Sequence, residues 1–157
     1  MKTCVFAGTF DPFSNGHADV TKRAAEIFDK VIIAVSSSPN KKPMFSLDDR
    51  VKIAELAVKN IKNTSVMPFD CLLTDFMKSN NAMYLVRGLR TNMDFEYESS
   101  LFGAYKSQLP SIECVYFMAR EKHIQSVFIR ELILYGGDYS AYVSEDVRKY
   151  IKVIDKR

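Results

Sequence analysis

Basic side chains gather in four short segments, each directly after an apolar run with the pattern of a β-strand. The segments are residues 8–17, 36–43, 87–90 and 119–123. The candidate cations in them are His17, Lys41, Lys42, Arg87, Arg90, Arg120 and Lys122. Because ligands of parallel sheets lie outside the carboxyl ends of the strands, these side chains should face one site. Such a site suits a polyanionic small molecule, for example a nucleotide together with a second phosphate.

The first segment, residues 8–17, begins and nearly ends with glycine. Its sequence, Gly-Thr-Phe-Asp-Pro-Phe-Ser-Asn-Gly-His, is neither a Walker A loop nor a G-x-G-x-x-G dinucleotide motif. Gly8 and Gly16 allow close approach of the backbone to a ligand. Because His17 follows at an expected helix start, backbone N–H groups and the positive helix end there can hold phosphate oxygens.

Each of these cations also has an ordinary structural interpretation. His17 could be a capping residue, and Lys41 with Lys42 could form a solvated turn. Arg87 and Arg90 could form surface ion pairs with nearby carboxylates, namely Asp94, Glu96 and Glu98. Their shared place at one sheet edge favours the functional interpretation. His123 lacks that support and is interpreted as an ordinary surface residue.

The elements that would position these residues alternate between strands and helices. Five short apolar runs predict strands, at residues 3–7, 31–35, 64–68, 83–86 and 114–118. Between them the apolar residues recur with helical period. This alternation predicts an α/β fold, a doubly wound five-stranded parallel sheet with helices on both faces. With no linker-like segment, residues 1–157 are expected to form a single domain.

Six helices are expected, the first of them capped by Asn15 and the second opened by a capping-box pattern at Ser46. The others cover residues 72–79, 94–109, 127–135 and 144–150. The helix over 94–109 carries a largely aromatic face, formed by Phe95, Phe102, Tyr105 and Leu109. This face is expected either to pack in the core or to contact another subunit, and packing in the core is favoured. The basic tail after residue 150 is expected at the surface.

The composition disfavours several classes of protein. A net charge of +3 with 47% apolar residues argues against a nucleic-acid partner or a polybasic membrane anchor. No stretch approaches a membrane span, and the apolar N-terminal run is too short for a signal peptide. The cysteines, Cys4, Cys71 and Cys114, are odd in number without C-x-x-C spacing, so we expect small buried side chains and a reduced, cytoplasmic location.

Four blocks of this sequence together resemble a known family. They are residues 8–17, Lys-Lys-Pro-Met-Phe at 41–45, Arg-Gly-Leu-Arg at 87–90 and Asp-Phe-Glu-Tyr-Glu at 94–98. The first is similar to the T/H-x-G-H region of the nucleotidyltransferase superfamily, which also includes class I aminoacyl-tRNA synthetases. All four, in order over nearly the whole chain, resemble the bacterial phosphopantetheine adenylyltransferase family. The resemblance implies a Rossmann-like fold and, in most members, a homohexamer.

The same resemblance implies a reaction in coenzyme A biosynthesis. AMP passes from ATP, with Mg²⁺, to 4'-phosphopantetheine, giving dephospho-CoA and pyrophosphate; dephospho-CoA and CoA are further candidate ligands. The implied catalytic residues are His17, Lys41 and Arg90. The implied ATP-binding residues are Thr9, Phe10, His17, Gly88, Leu89, Arg90, Glu98, Ile124, Gln125, Ser126 and Val127. The implied acceptor-binding residues are Thr9, Lys41, Leu73 and Arg87.

One block departs from the family pattern. Members usually carry Ile-Ser-Ser-Ser before the last helix of the site, whereas this chain has Ile-Gln-Ser-Val at residues 124–127. Only Ser126 keeps a hydroxyl for the β- and γ-phosphates of ATP. Arg120, Lys122 and Gln125 are the candidates to replace the missing serines.

The expected chemistry is direct in-line attack without a covalent intermediate, since an ionised phosphate nucleophile needs no general base. Mg²⁺ is expected to arrive on the nucleotide, because no carboxylate cluster suggests a fixed metal site. One alternative keeps the chemistry with another acceptor, as in nicotinate mononucleotide adenylyltransferases and cytidylyltransferases. Two further alternatives are a nucleotide-binding module without catalysis and a flavodoxin-like carrier.

Overall fold

A computed structural model describes residues 1–155 of the chain, and it contains one parallel sheet. The strands are β1 Thr3–Gly8, β2 Lys30–Ser36, β3 Thr64–Phe69, β4 Tyr84–Leu89 and β5 Glu113–Met118. Their order across the sheet is β3-β2-β1-β4-β5, and every neighbouring pair is parallel. The predicted α/β fold with five parallel strands is therefore confirmed.

Helices cover both faces of the sheet, as predicted. They are α1 Asn15–Ala25, α2 Leu47–Val58, α3 Leu73–Ser79, α4 Asn92–Gln108, α5 Ser126–Leu134 and α6 Glu145–Ile154. One core contains Phe6, Ile33 and Ile53 and is covered by α1, α2, α5 and α6. The other contains Val5, Ile32 and residues of α3, with α4 packed beside it.

The central strands β1 and β2 explain why the sheet forms. Val31, Ile32, Ile33 and Val35 are completely buried, because helices cover the strand on both sides. Such strands carry near-continuous apolar runs, and β-branched side chains suit their extended backbone. The alternation of side chains then assigns Ile32 to one core and Ile33 to the other.

Several expected boundaries shift in the structure. The N-cap of α1 is Ser14 and not Asn15, because the Ser14 side chain accepts from the His17 amide. Strand β4 continues to Leu89, so residues 87–89 lie inside the strand and not after it, since they pair with β5. Helix α6 runs to Ile154, beyond the expected end. Lys156 and Arg157, the end of the expected surface tail, lie outside the described residues.

Two expectations about burial are met in part. Of the face expected in the core, Leu109 at the C-cap of α4 is buried, and Phe102 and Tyr105 pack against the second core without being fully buried. Phe95 of the same helix is half exposed and contacts the ring of Tyr116. Among the cysteines Cys4 is buried as expected, whereas Cys71 lies at the surface in the loop before α3.

The direction of the chain changes where β1 and β4 lie side by side. After β1 it turns to the face covered by α1, and after β4 it turns to the opposite face, covered by α4. The two connections therefore part at the carboxyl ends of these strands. Such a topological switch point leaves a crevice in which doubly wound sheets bind their ligands.

Candidate functional site

A cleft of about 430 Å³ opens at the switch point between β1 and β4. Its walls come from the strand ends, the loop after β1, the first turns of α1 and α5, and α4. Of the predicted site residues, those that line it are Phe10, His17, Lys41, Arg87, Gly88, Arg90, Glu98, Ile124, Gln125, Ser126 and Val127. The cleft thus gathers side chains that lie up to 117 positions apart, from Phe10 to Val127 (127 − 10 = 117).

Three predicted site residues lie outside the cleft lining. Thr9 borders it, because its hydroxyl accepts a hydrogen bond of 3.3 Å from the Lys41 ammonium. Leu89 is buried beneath the site, with 4% of its surface exposed. Leu73 is partly buried against the second core.

His17 stands in the first turn of α1 with its ring inside a wall of phenylalanines. Its centroid lies 5.0 Å from that of Phe10 and 5.1 Å from that of Phe13. The backbone N–H of Ser14 donates to His17 Nδ1 at 3.0 Å. Because a backbone amide can only donate, Nδ1 carries no proton in this arrangement. The neutral ring therefore keeps its proton on Nε2, which has no protein partner among residues 1–155.

The charge of this imidazole is set by its surroundings. Burial, and to a smaller extent the nearby positive charge of Arg90, together lower the pKa of His17 to about 4. Above that pH the ring is neutral. His17 can consequently offer an uncharged N–H donor to a ligand in the cleft across the physiological range.

Phe10 adopts an unusual backbone conformation beside this histidine. Its φ is +50°, in the left-handed region that side chains other than glycine rarely occupy. Its ring covers Gly8 so closely that a Cβ at position 8 would lie 3.0 Å from Phe10 Cζ. A side chain at position 8 would therefore require the Phe10 ring to shift, which favours glycine at the end of β1.

Lys41 approaches the cleft through a small network of hydroxyl groups. The Thr9 and Ser38 hydroxyl oxygens are 2.8 Å apart, and the Lys41 ammonium donates to that of Thr9. The backbone amide of Lys41 also donates to the Ser38 carbonyl at 2.9 Å. Among residues 1–155 the Lys41 ammonium has no carboxylate partner, so its positive charge stays available to an anion.

Arg87 extends from β4 toward the end of β1. One of its terminal nitrogens donates to the Ala7 carbonyl at 2.6 Å. Its Nε lies 3.0 Å from a carboxylate oxygen of Glu98, although the angle is too bent for a hydrogen bond. Glu98, which was expected to bind ATP, thus also lies against Arg87, which was expected to bind the acceptor. The pair holds the guanidinium at the cleft wall by charge more than by directed bonding.

Arg90 follows β4 and leads into α4. Its backbone N–H donates to an Asp94 carboxylate oxygen at 2.8 Å, and its own Nε lies 3.5 Å from that oxygen. Asp94 also belongs to the capping box that begins α4 at Thr91. The helix start therefore fixes the backbone of Arg90, while its half-exposed side chain borders the cleft.

The remaining cations proposed from the sequence lie outside the cleft lining. Arg120 donates to Asp19 on α1 at 3.2 Å and is 68% exposed. Lys42 and Lys122 are exposed at the surface. His123 pairs at the surface with Glu121 at 3.5 Å, as expected for an ordinary surface residue. Arg120 and Lys122 are thus poorly placed to replace the missing serines.

The first turn of α5 forms the wall opposite β4. The Ser126 hydroxyl donates to the Pro12 carbonyl at 2.8 Å, so its proton is already used within the protein. The Ser126 and Val127 amides have no acceptor among residues 1–155, as first-turn amides of helices usually lack one. Backbone N–H groups and the Gln125 side chain, rather than serine hydroxyls, are the donors available here.

Sequence reasoning missed the residues that hold the loop after β1. Arg50 and Arg130 donate to the carbonyls of Thr9 and Asp11, each at 2.7 Å. The Asp11 carboxylate accepts in turn from the backbone amides of the segment before α2. Nothing in the local sequence marks either arginine. By contrast, the Ser14-x-x-His17 spacing of a capping box could have identified Ser14.

The arrangement can bind anions and stabilise charge that develops on them. Lys41, Arg87 and Arg90 supply positive charge, and His17 with the α5 amides supplies neutral donors. Of the carboxylates in the lining, Asp11 and Glu98 are engaged with protein groups. The Ser14 hydroxyl lies 3.1 Å from His17 Nδ1, but Ser14 is buried and its oxygen caps α1, so this contact does not present an accessible nucleophile with its base. The chemistry of the cleft is therefore positioning and electrostatic stabilisation.

Comparison with known proteins gives consistent matches over nearly the whole chain. Residues 5–149 match the family model described as cytidylyltransferase-like. A phosphopantetheine adenylyltransferase of Campylobacter hominis is 44% identical over 155 residues, 97% of this chain and 98% of that protein. One from Tolumonas auensis is 42% identical over 150 residues, 94% of this chain and 92% of that protein.

A solved structure shares the fold at much lower sequence similarity. It is a Vibrio parahaemolyticus protein assigned as a nicotinate-nucleotide adenylyltransferase, with a TM-score of 0.77 and 20% identity. The match covers 99% of this chain and 94% of that one. At this identity it supports the architecture of the sheet and helices and nothing further.

The protonation of His17 can be measured directly by NMR of its imidazole nitrogens. We expect a midpoint near pH 4, against an ordinary value of 6.5, and a proton on Nε2 in the neutral form. An Arg90→Gln variant should raise the pKa of His17 but leave it below the ordinary value, since burial is the larger cause. His123→Gln identifies the second imidazole signal. Titration near pH 6.5, or a proton on Nδ1, would contradict this geometry.

Proposed function

The chain belongs to the cytidylyltransferase-like family and, within it, to the phosphopantetheine adenylyltransferases, and we propose that it transfers AMP from ATP to 4'-phosphopantetheine. The products are dephospho-CoA and pyrophosphate, in a step of coenzyme A biosynthesis. The observation that carries this function is the gathering of Lys41, Arg87, Arg90 and neutral His17 around one cleft. Such a site suits two anionic substrates and a reaction between them.

The two ends of the cleft suit the two substrates. Lys41 and Arg87, with the Thr9 hydroxyl between Lys41 and Ser38, bind the acceptor phosphate. Arg90, Phe10, Gly88 and residues 124–127 bind ATP, whose β- and γ-phosphates accept from the free amides of the α5 first turn. Leu73 and Leu89 shape the pantetheine and nucleotide sides from positions behind the lining.

The reaction is a direct displacement. An oxygen of the acceptor phosphate forms a bond to the α-phosphorus of ATP, the bond from that phosphorus to the bridging oxygen breaks, and its electron pair leaves with pyrophosphate. The nucleophile is already ionised, so no general base is required. The obstacle is repulsion between two anions, which cations fixed around the cleft reduce. Holding both substrates in line can contribute roughly 7–11 kcal/mol.

His17 acts on the phosphate at the centre of the reaction. Its Nε2–H is neutral and preorganised, because Nδ1 is occupied by the Ser14 amide. A neutral donor can approach the α-phosphate beside Arg90 without adding like-charge repulsion to that arginine. The two residues stabilise the charge that develops on the phosphate oxygens in the transition state.

Mg²⁺ is proposed to arrive with the nucleotide. Among residues 1–155 no group of three or more His, Cys, Asp or Glu side chains could hold a metal ion. The donor set of the cleft, in which Asp11 and Glu98 are engaged with protein groups and Lys41, Arg87 and Arg90 supply positive charge, fits phosphates that bring their own ion. When bound, Mg²⁺ supplies positive charge to the triphosphate.

Three further features are proposed with this function. Residues 1–157 form a single nucleotidyltransferase domain, located in the cytoplasm. Within residues 1–155, every helix is too short or too polar to span a bilayer. The chain assembles as a homohexamer; in support, large apolar side chains are exposed on α4 and near the end of α5, among them Met93, Tyr97, Leu134 and Tyr135.

The function is tested by pyrophosphate release from Mg-ATP with 4'-phosphopantetheine, using nicotinate mononucleotide as the parallel acceptor. We expect release with 4'-phosphopantetheine only. Release only with nicotinate mononucleotide would retain the chemistry and overturn the substrate. Measurable ATP binding without release in either reaction would favour a non-catalytic nucleotide-binding module.

A His17→Ala variant should lose turnover far more than ATP affinity. Removing one preorganised transition-state donor typically lowers kcat by about 10²–10³-fold. His17→Gln, whose amide N–H can approach the position of Nε2, should recover part of the loss. Steady-state kinetics and calorimetric ATP binding measure the two effects. Normal turnover with only weaker ATP binding would rule out this role.

A Lys41→Ala variant should impair use of the acceptor. Loss of a charged hydrogen-bond donor to phosphate should raise the KM for 4'-phosphopantetheine by about tenfold to 10²-fold. The KM for ATP should change little. Lys42→Ala is the matched control, because its neighbouring ammonium is exposed and lies outside the cleft lining. Unchanged acceptor kinetics in Lys41→Ala would refute the assignment.

A further inference from the structure

Arg50 on α2 is a charged residue with only 2% of its surface exposed. Its guanidinium donates to backbone carbonyls of three separate segments. Nε donates to Phe45 at 3.1 Å, and one terminal nitrogen donates to both Thr9 at 2.7 Å and Ser36 at 2.6 Å. The other terminal nitrogen reaches the Ser37 carbonyl at 3.5 Å. Arg50 therefore connects the loop after β1, the end of β2 and the segment before α2.

Two of the connected segments contain strained backbone. Phe10 has a φ of +50° and Ser38 a φ of +53°. Non-glycine residues keep such conformations only when their surroundings enforce them. The φ angle of a residue orients the peptide group before it. By holding the carbonyls of Thr9 and Ser37, Arg50 holds the peptide groups directly before both left-handed residues.

The same two segments supply the polar groups at the acceptor end of the cleft. Ser38 contacts the Thr9 hydroxyl through its side chain and the Lys41 amide through its carbonyl. The Lys41 ammonium donates to that same Thr9 hydroxyl. If the left-handed turns relaxed, these three groups would separate, although none of them touches Arg50 through its own side chain.

We propose that Arg50 is a positioning residue for acceptor binding, which keeps the Ser38 hydroxyl, the Thr9 hydroxyl and the Lys41 ammonium together as one phosphate-binding group. The inference rests on the proposed function for the identity of the ligand. The planar fork of arginine can donate to several carbonyls at fixed angles, which the single ammonium of lysine cannot reproduce. Ser38 thereby becomes an additional member of the acceptor site.

The test compares Arg50→Lys and Arg50→Met with Ile53→Ala. Ile53 is completely buried one turn along α2 and packs in the core, so its variant is destabilised without losing a hydrogen bond to either turn. At a temperature where all variants are folded, both Arg50 variants should raise the KM for 4'-phosphopantetheine by about tenfold to 10²-fold, as small misplacements do. The KM for ATP should rise by a smaller factor, because the two turns carry three groups of the acceptor site but, for ATP, chiefly Phe10.

A merely structural role predicts a different result. The Arg50 variants would then resemble Ile53→Ala, with lower thermal stability and equal effects on both substrates. Acceptor KM values unchanged from wild type, or equal increases for acceptor and ATP, would overturn the proposal. Hydrogen exchange should also become faster at residues 8–11 and 36–41 in the Arg50 variants, with β3 unchanged as the internal reference.

The experiment distinguishes failure of the Arg50 proposal from two other outcomes, failure of the proposed function and failure of the variants to fold. If the wild-type protein releases no pyrophosphate, the proposed function fails, and Arg50 is judged by hydrogen exchange alone; unchanged exchange in both turns then overturns its role. If neither Arg50 variant folds, Ser38→Gly keeps a left-handed backbone and removes only the hydroxyl contact to Thr9. An unchanged acceptor KM in Ser38→Gly would overturn the proposed acceptor group.

Discussion

Three arginines hold the end of β1 and the loop after it through backbone carbonyls, and the cleft depends on these hydrogen bonds. The carbonyls of Ala7, Thr9 and Asp11 accept from Arg87, Arg50 and Arg130, respectively. A loop that turns close to a ligand cannot satisfy its carbonyls within a helix or strand, so side chains from distant elements must do so. The loop is thereby fixed from three directions, by β4, α2 and α5.

The choice of carbonyl partners also has an electrostatic consequence. An arginine that donates to a carbonyl retains its full positive charge, whereas an ion pair would neutralise it. Arg87 lies 3.0 Å from Glu98 and Arg130 lies 3.8 Å from Asp11, so these carboxylates offset part of the positive charge, whereas the hydrogen bonds of Arg50 go to carbonyls. The same side chains thus fix the loop and contribute positive charge beside the cleft. That combination suits a reaction whose main barrier is the approach of two anions.

Neutral His17 adds a hydrogen-bond donor to the cleft without adding a positive charge that would repel Arg90. Its ring is inserted among phenylalanines, and burial keeps it uncharged at physiological pH. A charged imidazole beside Arg90 would be costly, because like charges in a partly buried site repel strongly. The Ser14 amide also selects the tautomer, since it can only donate to Nδ1. Local capping geometry therefore fixes the tautomer of the His17 ring, and long-range packing fixes its charge.

The amino-acid sequence by itself determined the layered α/β architecture, because apolar runs and helical periods are local signals that report burial on one or both faces. Four motif blocks were also sufficient to indicate the family and most of the cleft residues. The local pattern of residue types was less informative about where each helix and strand begins and ends. Ser14 displaced Asn15 as the cap of α1, and β4 continued through the polar Arg87 because pairing with β5 outweighs hydrophobic pattern.

Only the tertiary structure decided which groups are partners. Arg50 contacts Thr9 across 41 positions and Ser126 contacts Pro12 across 114, distances at which local sequence carries no information about contact. The pairing of Arg87 with Glu98 and the burial of Arg50 follow from such contacts, whereas the tautomer of His17 is fixed locally by the Ser14 amide. Hydrogen bonds between distant segments depend on the packing of the whole fold, and the local pattern of residues cannot specify them.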